Sequence, residues 1–237
     1  MTEFGFMGVD WEERINFDRL RRERLQRAQE ALANSDADVL FIFRPEDVRY
    51  ITGFRSHLGP ATILHTCTCV LPKGGDPLLF TLDQEHAKAR MPWMPKGTIL
   101  PPAKIRTRLG IQEWVEQLRS ILGSKLDGKV GIDIWSHPMM TGLQEFLPNT
   151  EFVDGYKTLM EAKIIKTRDE LECQRAAALI TEAGFEAALA LLKPGVKECE
   201  VLAAAWQKFT ELGSEWTQCS NIVTSGPYTA PYRRFTS

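Results

Sequence analysis

A layered α/β domain, with a mixed sheet flanked by helices, followed by the opening of an α+β domain is the fold class that this sequence predicts. Short apolar runs alternate with helical patterns up to about residue 155, and from Tyr156 onward the texture changes to long helices. The first pattern builds helical layers on a sheet. The second, two helices and one strand, brings apolar faces without a sheet of its own to cover them. The length of 237 residues gives material for one large domain or two ordinary ones, and 43% hydrophobic against 25% charged residues is a globular balance. Domains are expected over 1–155 and 156–237, the second incomplete.

The stretch NFDRLRRERLQRAQEALANSD predicts a helix, because Leu25, Ala28 and Leu32 fall on one stripe and the arginines lie elsewhere. ADVLFIF, from Ala37 to Phe43, is nearly continuous apolar sequence, the mark of a strand buried on both faces. RPEDVRYITGF gives a one-turn helix or loop that stops at Gly53. ATILHTCTCVLPKGGDPLLFTLDQE reads as a hairpin, two β-rich runs around the turn formers Pro72, Gly74, Gly75 and Pro77. In IQEWVEQLRSILGSKL, Ile111, Trp114, Val115, Leu118, Ile121 and Leu122 recur at helical spacing, and KVGIDIW follows as a further strand.

Past the boundary, Thr167 and Glu170 in KTRDELE make a capping box: the hydroxyl serves one exposed amide and the carboxylate reaches back to another. The helix that follows runs to about Leu192 and is stopped by Pro194-Gly195. A second begins near Glu198, with Leu202, Ala205, Trp206, Phe209 and Leu212 on one face. SNIVTSG then reads as a strand entering a Gly-Pro turn. Ala176, Leu179, Ala183, Leu202 and Phe209 are expected to face water unless something covers them. No repeat period or low-complexity tract is present.

Twenty-nine basic and thirty-one acidic side chains leave a net charge of -2, so no overall field draws nucleic acid or an anionic membrane. No apolar run reaches the length of a membrane span, and MTEFGFMGVDWEER lacks the basic and apolar regions of a secretory leader. The five cysteines are an odd number without framework spacing. Reduced thiols and a cytoplasmic location are the expectation.

Few side chains suggest chemistry directly. His65, Cys67 and Cys69 share a parity in HTCTC, so a strand would point all three to one face, where they could hold zinc. Against that, cysteine is among the most buried residue types and a fourth ligand is not evident, so a core position is the stronger reading. His57, His86 and His137 are scattered. Gly74-Gly75 belongs to a turn, since no phosphate-binding glycine pattern opens a helix. Ser225 has no His or Asp placed in the sequence to activate it as a nucleophile.

Taken in order, VRYITGF after the first strand, EAKIIKTRDELECQRAAALITEAG at the junction, KPGVKECEVLAAA after the long helix and SNIVTSGPYTA resemble one family. It is the creatinase/prolidase group of pita-bread metallohydrolases, which includes Xaa-Pro aminopeptidases. The resemblance implies a creatinase-like N-terminal domain and then the first part of a pita-bread catalytic domain. It also implies, for the full-length parent, two divalent metal ions (Mn, Co, Fe or Zn) held by two Asp, one His and two Glu that follow the Ser-Gly strand. Residues 200–237 contain only Glu200, Glu211 and Glu215 as acids and no histidine. A two-metal site needs converging carboxylates. No metal is therefore expected in this chain, which reads as the inactive front part of an enzyme.

Within PYRRF the sequence departs from the family pattern. Relatives in the creatinase and Xaa-Pro peptidase branches carry a substrate-facing histidine soon after the Ser-Gly strand, where this chain has Tyr232, Arg233 and Arg234. Guanidinium forks suit bidentate capture of a carboxylate, which makes these three the substrate-binding candidates for an anionic peptide or small molecule. The competing reading is that both arginines are solvated or paired with acids. The expected function is hydrolysis of a C–N bond in an Xaa-Pro type peptide or a small amide or amidine, with a homodimer implied by the family. The alternative is a non-catalytic binding protein on a pita-bread scaffold that has lost its metals.

Overall fold

The computed structural model describes residues 14–55, 67–215, 222–229 and 236. Two compact units emerge: one is built on residues 18–167, and the other on the described residues from Arg168 onward together with residues 14–17. The sequence placed a boundary at 155, where strands give way to helices. The first unit continues to Thr167 because helix α6 (Gly155–Ile164) packs Leu159 and Ala162 onto its sheet.

The first unit is built on six strands, β1 (Val39–Ile42), β2 (Cys67–Pro72), β3 (Leu78–Thr81), β4 (Ile99–Leu100), β5 (Lys129–Ile132) and β6 (Glu151–Asp154). Their order is β4-β3-β2-β1-β5-β6, a mixed sheet as the sequence predicts. β1 is central, antiparallel to β2 with Phe41 opposite Val70 and parallel to β5 with Leu40 opposite Gly131. β2 and β3 form the expected hairpin, while β5 and β6 run parallel.

Alternation along β1 divides the core in two, because successive side chains leave opposite faces. Leu40 and Ile42 join Cys69 and Leu71 under α1 (Phe17–Asn34), α2 (Pro45–Thr52) and α6. Val39, Phe41 and Phe43 join Val70, Phe80 and Val130 under α4 (Arg108–Leu122) and α5 (His137–Phe146). Trp114 of α4 is the centre of this second layer, with the rings of Phe41, Phe80 and Phe43 at 5.1, 5.7 and 5.9 Å. These are tilted and edge-on contacts, each adding to simple burial. α4 starts where Thr107 accepts a hydrogen bond from the Gly110 amide at 3.2 Å. A short helix, α3 (Gln84–Arg90), completes the unit.

One close approach fixes the β5 end of the sheet. A Cβ added to Gly155 would lie 2.6 Å from the Gly131 carbonyl carbon, so α6 can begin directly against β5 only with glycine on both sides.

The second unit contains α7 (Arg168–Ala190) and α8 (Glu198–Glu211), packed against each other as a helical hairpin. α7 starts one residue after Thr167, as the capping pattern predicts. Gly184 lets the two helices approach, since a Cβ there would come within 1.9 Å of the Phe209 ring. The hairpin covers part of the surface expected to be bare: Ala176, Ala183, Leu202 and Phe209 are half-buried, whereas Leu179 is exposed along with Phe185 and Leu189. Residues 222–225, read as a strand, join no sheet and lead into a 3-10 turn at Gly226–Tyr228. A strand needs a ladder partner, and none lies beside them among the described residues.

Candidate functional site

Polar groups collect at two places, one buried in the first unit and one on the solvated surface of the second. In the first unit the place is the C-terminal edge of the parallel strands β1, β5 and β6. Asp133, just past β5, is 8% exposed and accepts backbone N–H bonds from Phe43 at 2.9 Å, Arg44 at 2.9 Å and Ile134 at 2.7 Å. Burial pushes its carboxyl up to about 6, those N–H donors pull it back in part, and the charge of Asp47 adds to the rise.

Asp47 lies in the first turn of α2, 1% exposed, and pairs through one oxygen with the ammonium of Lys163 on α6. Its other oxygen has no hydrogen-bond partner among the described residues. Burial raises this carboxyl above the usual range and Lys163 opposes the rise. Tyr50 of α2 donates its hydroxyl to the carbonyl of Ala162 at 3.0 Å, so α2 and α6 are joined twice. The Arg44 guanidinium lies over the Tyr156 ring at 4.8 Å. Beside this cluster a cleft of about 520 Å³ is lined by Asp133, Trp135, Met140, Phe152 and Asp154. Asp154 is committed as a cap, accepting from the Tyr156 and Lys157 amides at 2.9 and 3.2 Å.

In the second unit the place is the Ser225–Gly226 turn. Glu198, the first residue of α8, accepts both the backbone N–H and the hydroxyl of Ser225 on one oxygen, each at 2.7 Å. Two residues earlier, the Thr236 hydroxyl accepts from the Val223 amide at 2.5 Å and donates to the Val223 carbonyl at 2.9 Å. Glu200 takes the Lys197 backbone N–H at 2.9 Å and starts α8. Sequence reasoning found no partner for Ser225 because it looked for His or Asp. The partner is a glutamate 27 residues away, legible in sequence only as a helix start.

The substrate-binding candidates Tyr232, Arg233 and Arg234 lie outside the described residues, as does His65. Cys67 and Cys69 point into one core face with Leu71 and Leu79. Complete burial, with the Cys67 and Asp133 charges adding, pushes the Cys69 thiol far above its usual range, the behaviour of a packing residue rather than a thiolate ligand. Among the described residues no three His, Cys, Asp or Glu side chains gather as a metal site. The acids of the second unit do not converge: Glu198 is held by Ser225, Glu200 by Lys197 and Glu211 by Gln207 and Lys208. They do not fit a dinuclear centre.

The family model described as the Creatinase/Prolidase N-terminal domain matches residues 24–165, more than half of the chain. This chain belongs to the creatinase/prolidase family. In this family member the model of Metallopeptidase family M24 follows at residues 172–234. An Xaa-Pro dipeptidase of Pyrococcus furiosus is 24% identical over 205 residues, 86% of this chain and 53% of that protein. A hydrolase/peptidase of Sinorhizobium fredii, itself uncharacterized, is 25% identical over 195 residues, 78% of this chain and 48% of that protein. Among solved structures, the Xaa-Pro dipeptidase from Bacillus anthracis superposes with a TM-score of 0.62 at 21% identity, covering 81% of this chain and 50% of that one. The fold is that of the prolidase N-terminal domain and the start of the pita-bread domain. The chain spans about half the length of the relatives it matches.

Proposed function

We propose that this chain is the front part of a dinuclear-metal hydrolase that cleaves a C–N bond in an Xaa-Pro type peptide or a small amide or amidine. The observation that carries the reading is the succession of the two family matches along a chain with the matching fold. In this reading the first unit is the N-terminal scaffold and the second begins the catalytic domain. In this reading the parent's metals come from ligands outside this chain, because the described residues bring no three His, Cys, Asp or Glu side chains together. A cytoplasmic homodimer goes with the same reading.

Within it, Arg233 takes the substrate carboxylate, with Tyr232 and Arg234 beside it, because a planar guanidinium offers two parallel donors. The test is made on the product of the complete reading frame that contains this sequence. Metal-dependent release of proline from Xaa-Pro dipeptides is the expected result. Replacing Arg233 with Lys keeps the charge and removes the fork, so kcat/KM for anionic substrates should fall about ten- to 150-fold. A reading frame without metal ligands and without turnover sinks the hydrolase and leaves a binding protein on the same scaffold.

A further inference from the structure

We propose that the cleft at the ends of β5 and β6 binds a small organic cation, an ammonium group carried on an apolar body, with the Trp135 ring and the Asp154 carboxylate receiving the charge. The site lies wholly within the first unit, so it holds whether or not the full-length parent hydrolyses peptides.

The shape of the cleft follows from how β5 ends. Asp133 turns its carboxylate back onto the amides of Phe43, Arg44 and Ile134, and the chain bends there. Ile134 then packs against the core, while Trp135 comes out 58% exposed just before α5. Half-buried Met140 of α5 and Phe152 of β6 add apolar wall, and Asp154 closes β6 beside them. A cleft of about 520 Å³ is of the size that holds a small molecule, at the strand ends where open α/β sheets receive one.

Charge decides which kind of molecule fits. Two carboxylates line the cleft and, among the described residues, no Lys, Arg or His does. Asp154 accepts its two amides on Oδ1 alone, at 2.9 and 3.2 Å, which leaves Oδ2 without a donor among the described residues. The neighbouring cations are engaged elsewhere: the Arg44 guanidinium lies over Tyr156 and pairs with Glu46 at 3.3 Å, and Lys163 pairs with Asp47. The field that turns an anion away from this edge therefore draws a cation to it.

The aromatic wall points the same way. In this unit arginines lie over the rings of Trp93, Tyr156, Phe146 and Tyr50 at 3.8, 4.8, 5.1 and 5.2 Å. Trp135 is more exposed than Trp93 or Tyr156, yet no cation or second ring stands against it among the described residues. An indole face is the strongest aromatic acceptor of a cation. A metal ion is the poorer match, because calcium takes six to eight oxygens and one of these two carboxylates is already spent on three amides. An ammonium group needs only one free oxygen and a ring.

The test titrates phenethylamine into the whole chain labelled with nitrogen-15, with phenylacetate as the same ring carrying the opposite charge. Phenethylamine should saturate with a Kd of about 1 mM and move the signals of the Trp135 indole N–H and the Val153 and Asp154 amides, whereas phenylacetate should leave them in place. Trp135→Ala should weaken binding about tenfold and Trp135→Phe less. Asp154→Asn, which keeps an oxygen for the Tyr156 amide, should weaken it about fivefold. No saturable movement of those signals overturns the site, and so does equal movement with phenylacetate. Unchanged phenethylamine binding in both Trp135→Ala and Asp154→Asn overturns it as well. An unaltered backbone spectrum in each variant separates loss of the site from loss of the fold.

Discussion

Lowering the pH should stabilise the first unit through Asp133, opposite to the usual behaviour of buried carboxylates paired with cations. Its folded value is raised from 3.8 to about 6, chiefly by burial. The folded protein therefore binds a proton in a range where the unfolded chain has already lost it. That stabilisation is fully present below about pH 4 and disappears as the pH rises through about 6. The rise from 3.8 to about 6 corresponds to about 3 kcal/mol, an upper figure for a group 8% exposed to water. Asp133→Asn removes the titration. It also turns an amide NH2 toward one of three N–H donors, which costs about 1–3 kcal/mol at neutral pH. Urea unfolding of both proteins at pH 4.5, 5.5, 6.5 and 7.5 checks this, with the difference between the two curves isolating Asp133 from every other carboxylate. The wild-type advantage should be largest at pH 4.5 and should shrink toward pH 7.5. Parallel curves across that range would refute the argument that burial outweighs the three backbone donors.

Three further perturbations probe the same architecture. Lys163→Met strands the Asp47 carboxylate, 1% exposed, and should cost about 3–5 kcal/mol in urea unfolding, with Asp47→Leu added to it restoring most of the loss. Phe41→Ala opens a cavity against Trp114, whose ring centre is 5.1 Å away, and should cost about 3–5 kcal/mol; a loss below 1 kcal/mol would show that the layer can collapse. Gly184→Ala drives a methyl to within 1.9 Å of the Phe209 ring, so the hairpin should lose about 1–3 kcal/mol, and adding Phe209→Leu should return part of it.

Continuous apolar runs and helical spacing made β1, the β2-β3 hairpin, α4 and β5 legible, because those elements are buried on the faces their pattern marks. RPEDVRYITGF suggests a one-turn helix or loop, whereas α2 spans eight residues, since Pro45 sits at its start, where a proline costs no hydrogen bond. β6 escaped notice: as an edge strand it is only half-buried, and EFVD carries acids at both ends. β4 has two residues, too short for any period. The polar clusters were hidden for another reason. Asp133 bonds Phe43 across 90 positions and Glu198 bonds Ser225 across 27, and no spacing rule connects such pairs. Asp133 stood inside GIDIW as one polar residue of a strand, with nothing local to separate a buried acceptor from a solvated acid.

The C-terminal edge of parallel strands is where open α/β sheets usually receive ligands, because backbone N–H groups converge there beside the helix starts. In this chain the edge is occupied by its own acids. Asp133 takes the amides at the end of β1, Asp154 takes the amides at the start of α6, and Asp47 binds Lys163 across α2 and α6. An anionic ligand arriving at this edge would have to displace a carboxylate already held by two or three donors, and would meet the negative charge of the others. The first unit is thus stapled at the position where folds of this class do their binding. In the function proposed above, substrate recognition therefore belongs to the second unit, with the arginines of PYRRF as its candidates, and that is why the Arg233 variants are the decisive ones for function.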